Sequence, residues 1–246
     1  MSGRQLGLPF LHEAYYAEAD FVAAPSNREA RAWLEDTAPG QWPGRRLALW
    51  GGEGAGKTHL LHAWAGRAGA AVLYGPELRR WHAEARARVA PWALAVDDAD
   101  LAADEAVLLH LLNAAAEGGR PVLLAGREPP ARWPVALPDL ASRLRATAAV
   151  GIGPADDALL RALLARLLGE RQLEVSRSVQ DWMLLRLPRT AGAMREAAAR
   201  LDRLALAHGG PVTRALAALA LAGADDRDET SVADADAASP SEPFLL

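Results

Sequence analysis

The stretch Gly51-Gly52-Glu53-Gly54-Ala55-Gly56-Lys57-Thr58 decides the fold, because it fits the P-loop pattern of phosphate-binding proteins. It follows an apolar run at 46–50, typical of a buried strand, and opens a segment with helical spacing at 57–67. Glycines let such a loop turn its N–H groups toward phosphate oxygens, and the positive end of the helix adds its field. Lys57 would then bind the outer phosphates, and the Thr58 hydroxyl would ligate Mg²⁺. The alternative is a plain glycine turn.

The basic residues of the chain have an unusual composition. Among 27 lysines and arginines, Lys57 is the only lysine. The abundance of arginine and alanine indicates a biased genome, so a single lysine in the P-loop indicates a site that needs a compact point charge.

Two aspartates follow the apolar run 93–96. Asp97 and Asp98 have the position of a Walker B site, where a carboxylate at a strand end holds Mg²⁺ through its water shell. Asp98 would orient the water that attacks the nucleotide. The alternative is an acidic turn that caps the strand, since Asp100 follows closely.

Five short apolar runs predict buried strands, and helical segments lie between them. The strands are predicted at 46–50, 71–74, 93–97, 121–125 and 148–152, and the helices at 27–35 (capped by Ser26), 57–67, 77–88 and 104–117. This alternation, together with the P-loop, predicts an α/β fold of the P-loop NTPase kind, with a five-stranded parallel sheet flanked by helices.

Beyond Pro154 the strand pattern ends, and helices are predicted at 155–168, 175–187, 191–207 and 212–222. The sequence therefore predicts an α/β nucleotide-binding domain at 18–153 and a small all-helical lid domain at 154–223. Acidic and small polar residues dominate 224–246, which predicts a disordered tail.

Composition argues against several classes of protein. The net charge is −4, which disfavours independent DNA binding, and the absence of cysteine excludes disulfides and thiolate metal sites. Neither a membrane span nor a secretory signal is recognisable, so we expect a cytoplasmic location without membrane contact.

The chain resembles the DnaA branch of AAA+ proteins. That branch has a P-loop running on into His-Leu, here His59-Leu60, and a Walker B strand ending in paired aspartates, here Asp97 and Asp98. Phe21, Val22 and Asn27 are similar to the family's adenine-side entry motif. The resemblance implies that ADP or ATP is bound with Mg²⁺, and that the following residues contact the nucleotide: Phe21, Val22, Asn27, Gly51, Gly52, Glu53, Gly54, Ala55, Gly56, Lys57, Thr58, His59 and Asp97.

Two arginines match positions that act on nucleotide in this family. The segment 137–144 is similar to box VII, which makes Arg143 the candidate arginine finger for a neighbouring subunit. Arg195 lies where the family carries its second sensor, which contacts the γ-phosphate bound by its own chain. The alternatives are an ion pair of Arg143 with Asp139 on a surface loop, and a solvated surface position for Arg195.

The amino terminus is similar to the peptide by which proteins bind the sliding clamp. In that peptide a glutamine enters a polar pocket while leucine and an aromatic residue fill an apolar cleft. Residues 1–17 are therefore predicted to be a clamp-binding peptide and linker, with contacts from Gln5, Leu6, Leu8, Pro9 and Phe10. The alternative is an N-terminal latch that folds onto the protein's own surface.

The length and the clamp-like peptide resemble Hda-type regulators, DnaA homologues that inactivate the replication initiator. The resemblance implies DnaA and the β sliding clamp as partners, with DNA contact only through the clamp, and it allows the chain to form a homodimer. At most slow ATPase activity is expected, because Ala125-Gly126-Arg127 stands where the first sensor is usually polar. The rival hypotheses are a DNA-associated initiator accessory or loader, and a small-molecule P-loop kinase.

Overall fold

Five parallel strands form one sheet. The computed structural model describes residues 22–35, 38–81, 92–209 and 211–222. The strands are β1 (Arg46–Trp50), β2 (Ala70–Tyr74), β3 (Ala93–Asp97), β4 (Val122–Gly126) and β5 (Ala148–Gly151), and they lie side by side in the order β2-β3-β4-β1-β5. The predicted five-stranded parallel sheet flanked by helices is confirmed, with each strand within a residue of its predicted bounds.

Side chains of the central strands alternate between two hydrophobic cores, one on each face of the sheet. Leu47 and Leu49 of β1 pack in one core, whereas Ala48 packs in the other. The first core is covered by α1 (Arg28–Glu35) and α2 (Lys57–Ala68), and the second by α3 (Glu105–Glu117) and α4 (Pro138–Arg145). A parallel sheet covered on both faces explains why its strands read as continuous apolar runs.

Local sequence fixes the ends of α2 and α3. Gly56 precedes α2 with φ 99°, and Gly69 ends it with φ 60°, a region that glycine adopts without strain. Asp104 caps α3 because its carboxylate accepts hydrogen bonds from the N–H groups of Ala106 and Val107 at 3.0 and 3.1 Å. The P-loop therefore leads directly into the amino end of α2.

Helix α4 was not predicted. One of the alternative interpretations placed Arg143 on a surface loop, but Arg143 lies in this helix. The sequence does contain helical features here: Pro138 at the first position, Asp139 in the first turn, and the buried pair Leu140 and Leu144 four residues apart. The apolar face is too short to stand out in a sequence scan.

Two other local predictions were wrong. The predicted helix 77–88 is, where described, the 3-10 turn Gly75–Trp81, because this segment turns tightly over the end of β3 with Leu78 fully buried. Ser26 does not cap α1 but lies inside the 3-10 turn Pro25–Asn27, and the Asn27 side chain accepts from the N–H of Ala24 instead.

The described residues fall into two compact units that divide between Gly153 and Pro154. The second unit has its own hydrophobic core, and its helices are α5 (Asp157–Glu170), α6 (Arg177–Leu184), α7 (Ala191–His208) and α8 (Arg214–Ala222). Helix α5 begins two residues later than predicted because the Asp156 carboxylate accepts the N–H of Leu159 at 2.7 Å. Among the described helices, none is long and apolar enough to cross a bilayer.

Candidate functional site

The P-loop wraps around its own lysine. The Lys57 ammonium donates hydrogen bonds to the carbonyls of Gly51 and Gly52 at 2.7 and 2.9 Å, and only 8% of the residue is exposed. Thr58 follows as the second residue of α2 and is half-buried. A charged ammonium with loop carbonyls on one side and a helix amino end beside it is suited to bind phosphate oxygens.

Gly51 is held close to the end of β5. A Cβ atom at this position would lie 2.5 Å from the carbonyl oxygen of Ile152, which no side chain can occupy. The loop must therefore begin with glycine if it is to leave the sheet between β4 and β5. This backbone contact positions the phosphate loop against the fold.

The predicted adenine-side segment is tied to that same strand end. The Gly153 N–H donates to the Ser26 carbonyl at 2.9 Å. Asn27 is 1% exposed and donates to the Val22 carbonyl at 3.0 Å. Asn27 therefore holds the turn that carries Val22, and its contact with a nucleotide stays a prediction.

The paired aspartates lie at the carboxyl end of β3. Asp97 is buried and accepts the N–H of Asp98 at 3.1 Å. Asp98 has φ 47°, a conformation uncommon for residues other than glycine that often occurs at functional sites. The backbone thus turns sharply at Asp98.

The charges at this edge of the sheet influence one another. Burial lowers the pKa of the Lys57 ammonium, while the negative charges of Asp98, Asp100 and Asp97 oppose that shift. Burial raises the pKa of Asp98, and the charges of Asp97 and Asp100 raise it further. The P-loop lysine and the aspartates therefore form one electrostatic cluster, as a phosphate and Mg²⁺ site requires.

Sequence reasoning did not include Asp100 and Arg127 in the site. The Asp100 carboxylate accepts the N–H of Arg127 at 2.8 Å, and its other oxygen is buried without a hydrogen-bond partner. The Arg127 guanidinium lies 4.0 Å from the Glu53 carboxylate of the P-loop. The sequence feature that could have identified them is an acidic residue and a basic residue that each directly follow a strand of the sheet. The loops at the carboxyl ends of neighbouring parallel strands lie close together.

His59 is buried on α2 directly after Thr58. The His62 ring lies one turn further along, 3.3 Å from the Tyr74 hydroxyl, and burial lowers its pKa. His59 is thus close to the phosphate loop in sequence and packed into the core, and its role toward a nucleotide stays a prediction.

Arg143 lies at the opposite edge of the sheet from the P-loop. It is in the last turn of α4, which leads into the amino end of β5, and its charge lowers the pKa of Arg46, the first residue of β1, in addition to the effect of burial. No carboxylate in the described segments forms a salt bridge with Arg143, so the alternative interpretation, an ion pair with Asp139, is not observed.

Arg195 is exposed on α7 of the second unit. Its predicted contact with the γ-phosphate stays a prediction. Phe21 and the predicted clamp-binding residues Gln5, Leu6, Leu8, Pro9 and Phe10 lie outside the described residues.

The described residues fit a magnesium nucleotide. The glycine loop supplies close backbone approach, Lys57 supplies positive charge, and Asp97 and Thr58 supply oxygen ligands of the kind Mg²⁺ prefers. Among the described residues no group of three or more histidines or carboxylates could hold a metal alone. A magnesium ion here would therefore depend on phosphate oxygens and water for most of its ligands.

Comparison with known proteins finds similar chains among DnaA proteins, and comparison of folds also finds RuvB of Thermotoga maritima. No family model matches the chain. The chromosomal replication initiator protein DnaA of Thermomicrobium roseum is 29% identical over 243 residues, a match covering 86% of this chain and 50% of that protein. The chain therefore spans about half the length of this relative.

Solved structures of DnaA share the fold. Domain III of the Thermotoga maritima replication initiation protein DnaA superimposes with a TM-score of 0.72 at 18% identity, covering 85% of this chain and 96% of that one. AMPPCP-bound DnaA from Aquifex aeolicus gives a TM-score of 0.64 at 19% identity, with 80% and 67% covered. The fold is thus that of an AAA+ P-loop domain of the DnaA-like type.

Proposed function

We propose that this chain is an adenine-nucleotide-binding regulator of replication initiation, of the Hda type. It binds ADP or ATP with Mg²⁺ in its own P-loop site and docks on the sliding clamp through residues 5–10. It then uses Arg143 to stimulate hydrolysis of ATP bound to DnaA. The similarity to DnaA and the AMPPCP bound by a structural relative support the nucleotide site.

The position of Arg143 is the observation that carries this proposal. Strand β1 runs from Arg46 to the residue before the P-loop, a length of ~13 Å at about 3.3 Å per residue. Arg143 lies near Arg46, at the end of this strand that is remote from the P-loop. An arginine there is remote from its own chain's phosphates. It is half-buried and forms no salt bridge with a carboxylate in the described ranges, which supports a role toward another molecule.

In the chain's own nucleotide site, the side chains are suited to bind the nucleotide and only slowly hydrolyse it. Lys57 exchanges its hydrogen bonds to the loop carbonyls for phosphate oxygens, and Thr58 and Asp97 hold Mg²⁺, which neutralises phosphate charge. Asp98 is one methylene shorter than the glutamate common in AAA+ enzymes, and no polar amide or hydroxyl follows β4. We therefore expect slow intrinsic hydrolysis.

At the partner's site, Arg143 supplies a guanidinium where negative charge develops on the transferred phosphoryl group. Such a charge placed from a neighbouring subunit accelerates hydrolysis by about 10³–10⁵-fold in related nucleotidases. The product is ADP-bound, inactive initiator.

The clamp contact belongs to the amino terminus. Burying Leu8 and Phe10 in an apolar cleft would contribute about 1.5–3 kcal/mol each. Since clamps are rings with repeated pockets, avidity would strengthen this weak peptide. Docking on a DNA-loaded clamp would bring the regulator to DNA without direct DNA affinity.

A reconstituted assay tests the proposal: hydrolysis of DnaA-bound ATP is measured with this chain, with and without DNA-loaded clamp. We expect stimulation only with the loaded clamp, and loss of stimulation and clamp binding in Gln5→Ala and Phe10→Ala. These variants should keep nucleotide affinity.

Other outcomes of that assay would contradict the proposal. DNA retention at modest salt without the clamp, combined with no stimulation, would favour a loader or initiator accessory. Phosphoryl transfer from ATP to a small acceptor would favour a kinase.

A further inference from the structure

Two arginines of the second unit converge on the ring of Trp182 in α6. The guanidinium carbon of Arg186 lies 4.3 Å from the ring centre, and that of Arg214, the first residue of α8, lies 5.1 Å from it. The indole packs against the core of this unit, so it holds both charges in place. Attraction between each guanidinium and the ring therefore brings two like charges close together.

The donors around this ring have no acidic partner among the described residues. Arg186 donates to the Trp182 carbonyl at 3.1 Å, and no hydrogen bond or salt bridge joins the Arg214 side chain to a described residue. The indole N–H of Trp182 is buried without an acceptor. Since buried donors in native proteins are usually paired, a ligand here would have to supply oxygen atoms.

The surface around Trp182 is positive and accessible. Arg186 and Arg214 are both exposed, and the amino end of α8 adds its partial positive charge beside Arg214. The carboxylate of Asp181, the residue before Trp182, is already paired with Arg161 at 3.1 Å. An anion from outside the described residues is therefore needed to balance these charges.

The chain carries a segment of matching charge directly after α8. Residues 224–246, which lie outside the described residues, contain seven aspartates and glutamates and one arginine, and four of the acidic residues lie within 225–229. Along α8, Arg214 is ~12 Å from Ala222, at about 1.5 Å per residue. Since an extended chain spans about 3.3 Å per residue, the segment 225–229 is long enough to return to Arg214.

We propose that Trp182, Arg186 and Arg214 form a binding site for an acidic peptide, and that the segment 225–229 of the same chain occupies it. The segment supplies carboxylate oxygens to the two guanidinium groups, and it shields this positive surface from other anions. The inference goes beyond the proposed function and needs neither nucleotide, clamp nor DnaA.

Fluorescence anisotropy of a labelled peptide with the sequence of residues 224–236 tests this inference on the full chain. The unmodified chain is compared with a neutral-segment variant that carries four substitutions: Asp225→Asn, Asp226→Asn, Asp228→Asn and Glu229→Gln. A tethered segment competes at an effective concentration of about millimolar, so the unmodified chain should bind the peptide about 10-fold or more weakly than this variant. Binding to the variant should weaken as salt is raised from about 0.05 to 0.3 M.

Further substitutions in the neutral-segment variant locate the peptide. Arg186→Gln and Arg214→Gln should each weaken binding about 5-fold or more, because each removes a charge-assisted hydrogen bond, and Arg214→Lys should recover part of the affinity. Arg177→Gln is the matched control, since Arg177 is an exposed arginine of the same helix α6 without a salt bridge to a described residue. It should change the affinity less than about 2-fold.

Three results would overturn the inference. Equal peptide affinity of the unmodified chain and the neutral-segment variant would show that the chain's own segment does not occupy the site. Absence of binding to the neutral-segment variant would show that no acidic-peptide site exists. Equal weakening by Arg177→Gln and Arg214→Gln would show that the peptide does not bind at Trp182. None of these results bears on the stimulation of DnaA-bound ATP hydrolysis, so the proposed function stands or falls separately.

Discussion

Lys57 combines two demands at the scale of a single residue. Its stem is buried at the start of α2, and its ammonium binds two loop carbonyls that it must release to hold phosphate. A planar guanidinium is bulkier and fixed in geometry, and it would not fit among these carbonyls. The single lysine of the chain is thereby explained by local packing as well as charge.

The raised pKa of Asp98 predicts that replacing this residue changes the stability of the fold by an amount that depends on pH. Because burial and the charges of Asp97 and Asp100 raise its pKa, the ionised carboxylate destabilises the folded state at neutral pH. This penalty disappears as pH falls through the raised pKa and the side chain becomes protonated. Asp98→Asn should therefore raise the Tm at pH 7, with the gain shrinking in acid, as measured by thermal denaturation in EDTA without nucleotide.

A conformational control accompanies that prediction. Asparagine tolerates φ 47° as aspartate does, whereas alanine does not, so Asp98→Ala should be less stable than Asp98→Asn. A Tm gain of Asp98→Asn that persists unchanged at low pH would show that charge is not the cause.

Residue types with a fixed sequence pattern could be predicted, and residues defined by contacts could not. Asp97 and Lys57 lie in recognisable motifs, and the structure brings their charges together. Asp100 stands in no motif, and Arg127 stands only in the segment compared with the first sensor; the contact between the two residues arises from one backbone hydrogen bond that the sequence does not predict. Arg143 was predicted by resemblance, but its separation from the P-loop is visible only in the fold.

At the scale of elements, the turn after β2 depends on Gly75. A Cβ atom there would lie 2.0 Å from the Asp98 carbonyl oxygen, so Gly75→Ala must displace the turn or the Walker B backbone. We expect a loss of about 1–3 kcal/mol in the free energy of unfolding and weaker nucleotide binding. Gly66→Ala in α2 is the control, since a Cβ atom there contacts nothing, and it should stabilise by about 0.5–1 kcal/mol. Equal stability of the two variants in urea unfolding would contradict this packing.

Glu105 links α3 to the start of α4. Its carboxylate accepts the N–H groups of Ala136 and Leu137 at 2.8–3.0 Å. Glu105→Ala should therefore cost about 1–2 kcal/mol in urea unfolding and reduce stimulation by Arg143, because α4 is held less firmly. Glu117→Ala, at the exposed far end of α3, should change stability by less than about 0.5 kcal/mol. A Glu105→Ala variant as stable as Glu117→Ala would refute the link.

The elements that could be predicted are those with long or well-bounded apolar patterns. The strands were found because burial on both faces makes them continuous apolar runs. Helix α4 has only Leu140 and Leu144 on its buried face, and the turn Gly75–Trp81 is set by contact with Asp98 rather than by local preference. Short elements defined by tertiary packing are the ones the sequence conceals.

At the scale of the whole molecule, the second unit has a core of its own. Thirteen buried apolar residues from α5 to α8 form this core, so residues 154–222 should fold alone. A domain of this size buries only a modest fraction of its surface on folding, so its stability should be low. We expect the helical circular dichroism signal of residues 154–222 to be lost in a cooperative transition at a low temperature. A gradual, non-cooperative signal would show that the unit depends on the rest of the chain.

The α/β unit carries an acidic cluster at one end of its sheet and two neighbouring arginines at the other end. Asp97, Asp98 and Asp100 lie at the carboxyl edge of the sheet with the phosphate loop, and Arg46 and Arg143 lie at the amino edge. In the proposed function, the end of the sheet that carries Arg143 would meet the nucleotide site of DnaA.

The most direct measurement is single-turnover hydrolysis of labelled ATP preloaded on DnaA, with DNA-loaded clamp and either the unmodified chain, Arg143→Ala or Arg145→Ala. Arg145 is an exposed arginine in the same helix turn and serves as the matched control. We expect that Arg143→Ala loses the stimulated rate but still binds the clamp, and that Arg145→Ala keeps the stimulated rate. Equal stimulation by Arg143→Ala would contradict the assignment of Arg143 as the residue that completes a neighbour's site.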